Sequence, residues 1–176
     1  MVRKFVSDIS VLNGIAPQMP LKRIFTFWIA RSGTSFSNVP TILGKAHKSA
    51  LARTDILLQN WNLGRPVALD ISVVSPLNPS TLAEAGATFG AVLEATESRK
   101  HQANDEKCSA LGWVSTPLAV DSYGAWGKEA SLFLAQVAAR LAIHKSLPKS
   151  QASFDLFSNL SICLIRANAR AILRRV

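Results

Sequence analysis

The run Arg53-Thr54-Asp55-Ile56-Leu57-Leu58, the link Asn60-Trp61-Asn62-Leu63-Gly64 and the run Pro66-Val67-Ala68-Leu69-Asp70-Ile71-Ser72-Val73-Val74 decide how this chain folds. Two segments rich in strand formers flank a segment with turn chemistry, which predicts a β-hairpin. Each segment carries an aspartate, Asp55 at the opening of the first and Asp70 inside the second. Paired strands lie about 4.8 Å apart, so the two carboxylates can converge on one hard cation. A carboxylate inside an apolar strand is costly unless something pairs with it. That cost makes Asp55 and Asp70 the first candidate site residues.

Working outward, Ser75-Pro76-Leu77-Asn78-Pro79 is a loop, and a helix is predicted from Ser80 or Thr81, with Thr81 and Glu84 at capping-box spacing. Leu82, Ala85, Phe89, Val92, Leu93 and Thr96 step by three and four, the helical period. This helix is expected to reach about Gln102 and to end near Asn104 and Asp105. A third strand is predicted over 113–120, then a Gly-rich turn from Ser122 to Gly127. A second long helix follows over 128–144, with Leu132, Phe133, Ala135, Val137 and Leu141 facing inward. Pro148 separates it from a final helix over 153–175. The order β-β-α-β-α-α is an α/β arrangement, a mixed sheet flanked by helices.

Upstream, Pro17, Pro20, Pro40 and the Ser/Gly/Asn-rich run 32–38 break the chain into short pieces. Residues 21–30 fit a short strand or a helix equally well. Composition changes near Leu51, so the ordered core is expected over 51–176, with 1–50 as an N-terminal extension.

A chain of 176 residues that is 48% hydrophobic, with mean hydropathy +0.19, has material for one substantial core. Polar residues interrupt every apolar run before it reaches the length of a membrane span, so no membrane partner is expected. Asp8, Asn13 and Pro17 interrupt any secretory leader. Cys108 and Cys163 are too few and too separated for a disulfide framework or a zinc site, which points to an intracellular protein. The net charge of +9 is unevenly placed. Residues 1–53 hold eight Lys/Arg against one acid, 54–127 hold four against eight, and 128–176 hold eight against two. An acidic centre between basic flanks suits a metal site held against a polyanion, while basic flanks that merely solubilise an apolar domain are the alternative.

In phosphodiester hydrolysis, paired carboxylates hold Mg²⁺ and a nearby lysine orients water or neutralises charge on the phosphate. Thr54-Asp55, fourteen intervening residues and Asp70-Ile71-Ser72 resemble the PD-(D/E)XK nuclease superfamily. Thr54 stands where the motif has proline, and Ser72 stands where it has lysine. This narrows the resemblance to the restriction-like endonuclease domains of site-specific non-LTR retrotransposons, which supply the lysine from the following helix. Arg53–Trp61, Ala68–Leu77 and Arg99–Asn104 are similar to that group. Pro117–Val120, Tyr123–Ala130 and Arg166–Arg170 are similar to the tails of retroelement reverse-transcriptase frames. The resemblance covers about residues 51–175.

The resemblance implies a restriction-endonuclease-like fold and a metal-dependent DNA endonuclease. It assigns Mg²⁺ or Mn²⁺ to Asp55 and Asp70, with the carbonyl of Ile71 as a further ligand. Lys100 takes the displaced lysine's role, with Lys107 as a weaker substitute, and Arg99 and His101 contact phosphate. DNA is the implied partner, with the reverse transcriptase or RNA of a parent element beside it, and a nuclear location if the target is DNA. A catalytically inactive nucleic-acid-binding remnant is the alternative, and a protein-interaction remnant a third.

Arg166, Arg170 and Arg174 recur every four residues on one helix face, which could track phosphates or simply be solvated. His47, His101 and His144 share no metal-ligand spacing. Trp61 and Trp126 lie near turns and are expected to pack, with base stacking as the other possibility.

Overall fold

The computed structural model describes residues 19–34, 36–37, 55–62 and 64–173. Its elements are α1 (Met19–Arg31), β1 (Phe36–Ser37), β2 (Ile56–Asn62), β3 (Arg65–Val74), α2 (Leu82–Ala87), α3 (Ala91–Ala110), β4 (Val114–Asp121), α4 (Lys128–Lys145) and α5 (Lys149–Leu173). The strands form one mixed sheet in the order β1-β2-β3-β4, with β1 a two-residue edge. β2 and β3 are the antiparallel hairpin, and β4 pairs parallel to β3 from Val67 opposite Val114 to Val74 opposite Asp121. The fold is therefore mixed α/β, with helices on the sheet.

Strand alternation sorts the hairpin's side chains. Ile56, Leu58, Val67 and Leu69 enter the main core with residues of α1, α4 and α5, among them Trp28, Phe133, Leu141, Leu156 and Leu160. Leu57 and Ala68 point the other way and pack with Cys108, Leu111 and Trp113 at the end of α3. Asp70 lies two residues beyond Ala68 and so shares the α3 face. Parallel β3 and β4 require a crossover, and α2 and α3 supply it.

The hairpin turn is tighter than expected. β2 runs through Asn62, its register shifts between Leu58 and Asn62, and Asn62 pairs with Arg65 around Gly64 at φ +81°. Trp61 is buried on Phe133, with ring centroids 4.9 Å apart, and its Nε1 donates to Gln136 Oε1 at 3.1 Å. The Arg140 guanidinium lies 3.9 Å over its ring. Trp126 is half-buried and meets Phe25 edge-on at 5.8 Å. Both tryptophans pack, as expected.

Several expectations are corrected. The helix after the hairpin is two helices, broken before Gly90, whose φ of +82° suits a residue without Cβ. Phe89 is consequently 94% exposed, and Leu82 is exposed as well. α3 continues past Asn104 and Asp105 to Ala110, because Asn104 and Cys108 face inward. On α4, Leu132 and Ala135 are exposed while Ala130, Leu134 and Ala138 are buried. α5 starts directly after Pro148, four residues earlier than the expected 153.

Residues 21–30 are helical, and Ile24, Phe25, Trp28 and Ile29 of α1 belong to the main core. The core therefore does not begin at residue 51. Against the expectation that polar residues interrupt every apolar run, α5 has 25 residues and contains a window of mean hydropathy 1.2, so among the described residues one helix is long and apolar enough to cross a membrane by length and composition. Its inward residues Leu156, Leu160 and Leu164 line the core. The expectations for residues 1–18, for Pro40, His47, Leu51, Arg53 and Thr54, and for Leu63 and Arg174 fall outside the described residues.

Candidate functional site

Ile56 pairs with Leu69, and Asp55, one residue before it, lies against the Leu69–Ile71 stretch of β3. The Asp55 N–H donates to the Leu69 carbonyl at 2.8 Å, which keeps this residue tied to β3 just before β2 begins. Its Oδ2 accepts from the Ile71 N–H at 2.9 Å. In a strand, a residue's N–H and C=O leave on the same side. The Ile71 carbonyl is therefore on the Asp55 side of β3.

Asp70 is 4% exposed, and α3 supplies its partners. Lys100 Nζ donates to Oδ1 at 2.9 Å and to Oδ2 at 2.8 Å. One turn later, Asn104 Nδ2 donates to Oδ2 at 3.0 Å. Residues at i and i+4 share a helix face, so the spacing of Lys100 and Asn104 is what allows one helix to grip one carboxylate twice. Asp55 on the Ile71 amide and Lys100 on the Asp70 carboxylate thus bring three separate stretches of chain to neighbouring positions of β3.

Glu97, one turn before Lys100, is 5% exposed. It reaches the start of α4, where its Oε1 accepts from the Ala130 N–H at 3.2 Å and its Oε2 from the Glu129 N–H at 3.3 Å. The first amides of a helix have no partner within it, and the helix dipole favours a negative group there. A Cβ at Gly127 would overlap the Glu97 carboxylate, so glycine makes the approach possible. Neither Glu97 nor Asn104 stood out in the sequence. The available signal was a helix face of Leu93, Glu97, Lys100, Asn104 and Cys108 that is polar where an apolar one is expected.

His101 joins α3 to α4. Its Nδ1 lies 2.8 Å from Asp105 Oδ1 and its Nε2 lies 2.5 Å from Glu129 Oε1. Both ring nitrogens meet carboxylates, an arrangement only the imidazolium satisfies with two donors. Burial lowers its pKa, but hydrogen bonds and charge from Asp105 and Glu129 outweigh this and hold it above the ordinary 6.5. His101 is therefore engaged by acids rather than presented to a phosphate. Beside it, an open cleft of about 950 Å³ between α3 and the start of α4 is lined by Glu94, Glu97, Asp105 and Glu129 with Phe89 and Trp126.

Arg99, Lys107 and Arg166 are exposed, whereas Arg170 is half-buried. Burial pushes the Cys163 thiol up to about 11 and also raises Cys108, so neither is an activated nucleophile. Among the described residues, no group of three or more His, Cys, Asp or Glu is arranged to hold a metal. A cation here would rest on Asp55, Asp70, the Ile71 carbonyl and water. That set suits Mg²⁺, which takes one or two carboxylates and keeps several waters, and does not suit zinc.

Fold and site together define a mixed α/β domain in which a hairpin and a crossover helix converge on one buried, ion-paired aspartate. Comparison of the chain with protein-family models, with curated proteins and with solved structures finds no match.

Proposed function

We propose that this chain is a metal-dependent DNA endonuclease domain of restriction-endonuclease-like fold and retroelement origin. The observation that carries the reading is the Lys100 ammonium at 2.8–2.9 Å from both Asp70 oxygens, beside Asp55 on the neighbouring Ile71 amide. Two carboxylates at a hairpin and a lysine on the crossover helix α3 fit what the motif requires when Ser72 replaces the usual lysine. The β-β-α-β order, with β4 parallel to β3, supports the same reading.

Asp55, Asp70 and the Ile71 carbonyl would hold Mg²⁺ or Mn²⁺. The bound ion would acidify a water and offset charge on the scissile phosphate. Lys100 balances the buried Asp70 charge in the resting site. Moving off one oxygen, its ammonium would orient the attacking water or meet the phosphate, the group it can then neutralise. Arg99 and Arg166 are both exposed and would supply backbone contacts with DNA. DNA as substrate, a nuclear location and an associated reverse transcriptase or template RNA follow from the same proposal.

A second reading, a nucleic-acid-binding remnant without catalysis, is favoured by one observation. Lys100 already bonds both Asp70 oxygens, so the Asp70 charge is balanced without a metal. Plasmid nicking in Mg²⁺ or Mn²⁺ separates the two. Cutting by wild type that is lost in Asp55→Ala, Asp70→Ala and Lys100→Ala supports the nuclease. Salt-sensitive DNA binding without cutting supports the remnant and refutes the nuclease.

A further inference from the structure

Asp70 is the most constrained acid of the site, and its constraint is uneven. Among the described residues, Oδ1 accepts one hydrogen bond, from Lys100, whereas Oδ2 accepts two, from Lys100 and Asn104. A carboxylate offers about four lone-pair positions, two on each oxygen. Oδ2 is therefore filled by these donors, and Oδ1 keeps one position open. Asn104 is itself 7% exposed, so water is poorly placed to take over its role. Its amide carries no charge and does not compete with a cation for Asp70, as the Lys100 ammonium must.

We infer that Asn104 is a positioning residue, whose amide holds Asp70 Oδ2 so that Oδ1 is the oxygen presented to a divalent cation. The inference rests on the nuclease reading above and adds a residue that acts through Asp70 rather than on the substrate. If a bound cation displaced Lys100 from Oδ1, Asn104 would be the partner that keeps the carboxylate from rotating. A ligand's hydrogen-bond partner of this kind typically changes metal affinity about 10–100-fold when removed.

The test is Mn²⁺ binding to the full chain, followed by electron paramagnetic resonance, with plasmid nicking measured over a Mn²⁺ titration in parallel. The proteins are wild type, Asp70→Ala, Asn104→Leu and Asn104→Gln. Leucine keeps the volume without the donor, and glutamine keeps the donor. Asn104→Leu should bind Mn²⁺ about 10–100-fold more weakly and need correspondingly more Mn²⁺ for nicking, while Asn104→Gln recovers part of the affinity. A purely structural Asn104 would lower the unfolding midpoint of Asn104→Leu and leave Mn²⁺ affinity unchanged, which would overturn the inference. Binding lost in Asp70→Ala but intact in Asn104→Leu would overturn it too, with the nuclease reading left standing. No Mn²⁺ binding by wild type would refute the nuclease reading and the inference with it. Should Asn104→Leu fail to fold, Asn104→Ala is read in the same way.

Discussion

Replacing Lys100 with methionine tests the site without any assumption about activity. Asp70 is 4% exposed, and Lys100 supplies two of its three hydrogen bonds. Removing one partner of a fully buried pair costs about 3–5 kcal/mol, because the other charge is left uncompensated. The Lys100 side chain is 23% exposed, so water screens part of the interaction, and Asn104 still binds Oδ2. The loss should therefore be about 2–3 kcal/mol, at or below the lower end of that range. In a chain of this size that corresponds to roughly 5–10 °C in melting midpoint. Removing both charges, in Asp70→Leu with Lys100→Met, leaves no unpaired ion and should recover much of the loss, since apolar replacement of a buried pair is often near neutral. Urea unfolding of the wild type, both single variants and the double variant, monitored by circular dichroism, gives the coupling directly. Single-variant losses that simply add, or a Lys100→Met loss below about 0.5 kcal/mol, would mean that this pair does not hold Asp70.

Two further predictions concern the junction of α3 and α4. Gly127→Ala should displace Glu97 from the start of α4, with the loss of its bonds to Glu129 and Ala130, and destabilise the fold by about 1–3 kcal/mol; an unchanged unfolding midpoint would show that Glu97 relocates freely. His101 has a raised folded-state pKa, so its contribution to stability is fully present below the unfolded value of 6.5 and disappears as pH rises through the folded value. The stability difference between wild type and His101→Gln should accordingly be largest in acid and shrink on the alkaline side of 6.5. A difference that is flat across pH 5–9, roughly the range around the ordinary histidine pKa, would mean that the carboxylates of Asp105 and Glu129 do not hold the charged ring.

Much of the fold was legible because its signals are local. Strand formers on either side of Gly64 specify the hairpin, the Gly-rich turn before Lys128 starts α4, and Pro148 ends the link to α5. Local signals also misled. Apolar spacing runs through Phe89 into Val92, yet Gly90 breaks the helix, because a left-handed backbone overrides periodicity. Residues 21–30 fit a strand or a helix equally well, and the structure makes them part of α1, which buries Phe25, Trp28 and Ile29. Propensity cannot register a short helix whose stability comes from packing against distant elements.

The sequence by itself determined the α/β class, the hairpin and the presence of an aspartate on or beside each of its strands, since all of these follow from neighbours in the chain. Only tertiary structure decided that Lys100 and Asn104 both reach Asp70, that Glu97 serves another helix, and that His101 sits between two acids. Those side chains lie 28 to 34 residues from their partners, except for Asp105, which is four residues from His101. Which of several polar residues on a helix is buried, and against what, depends on where the crossover lays that helix over the sheet, and no local pattern encodes that placement.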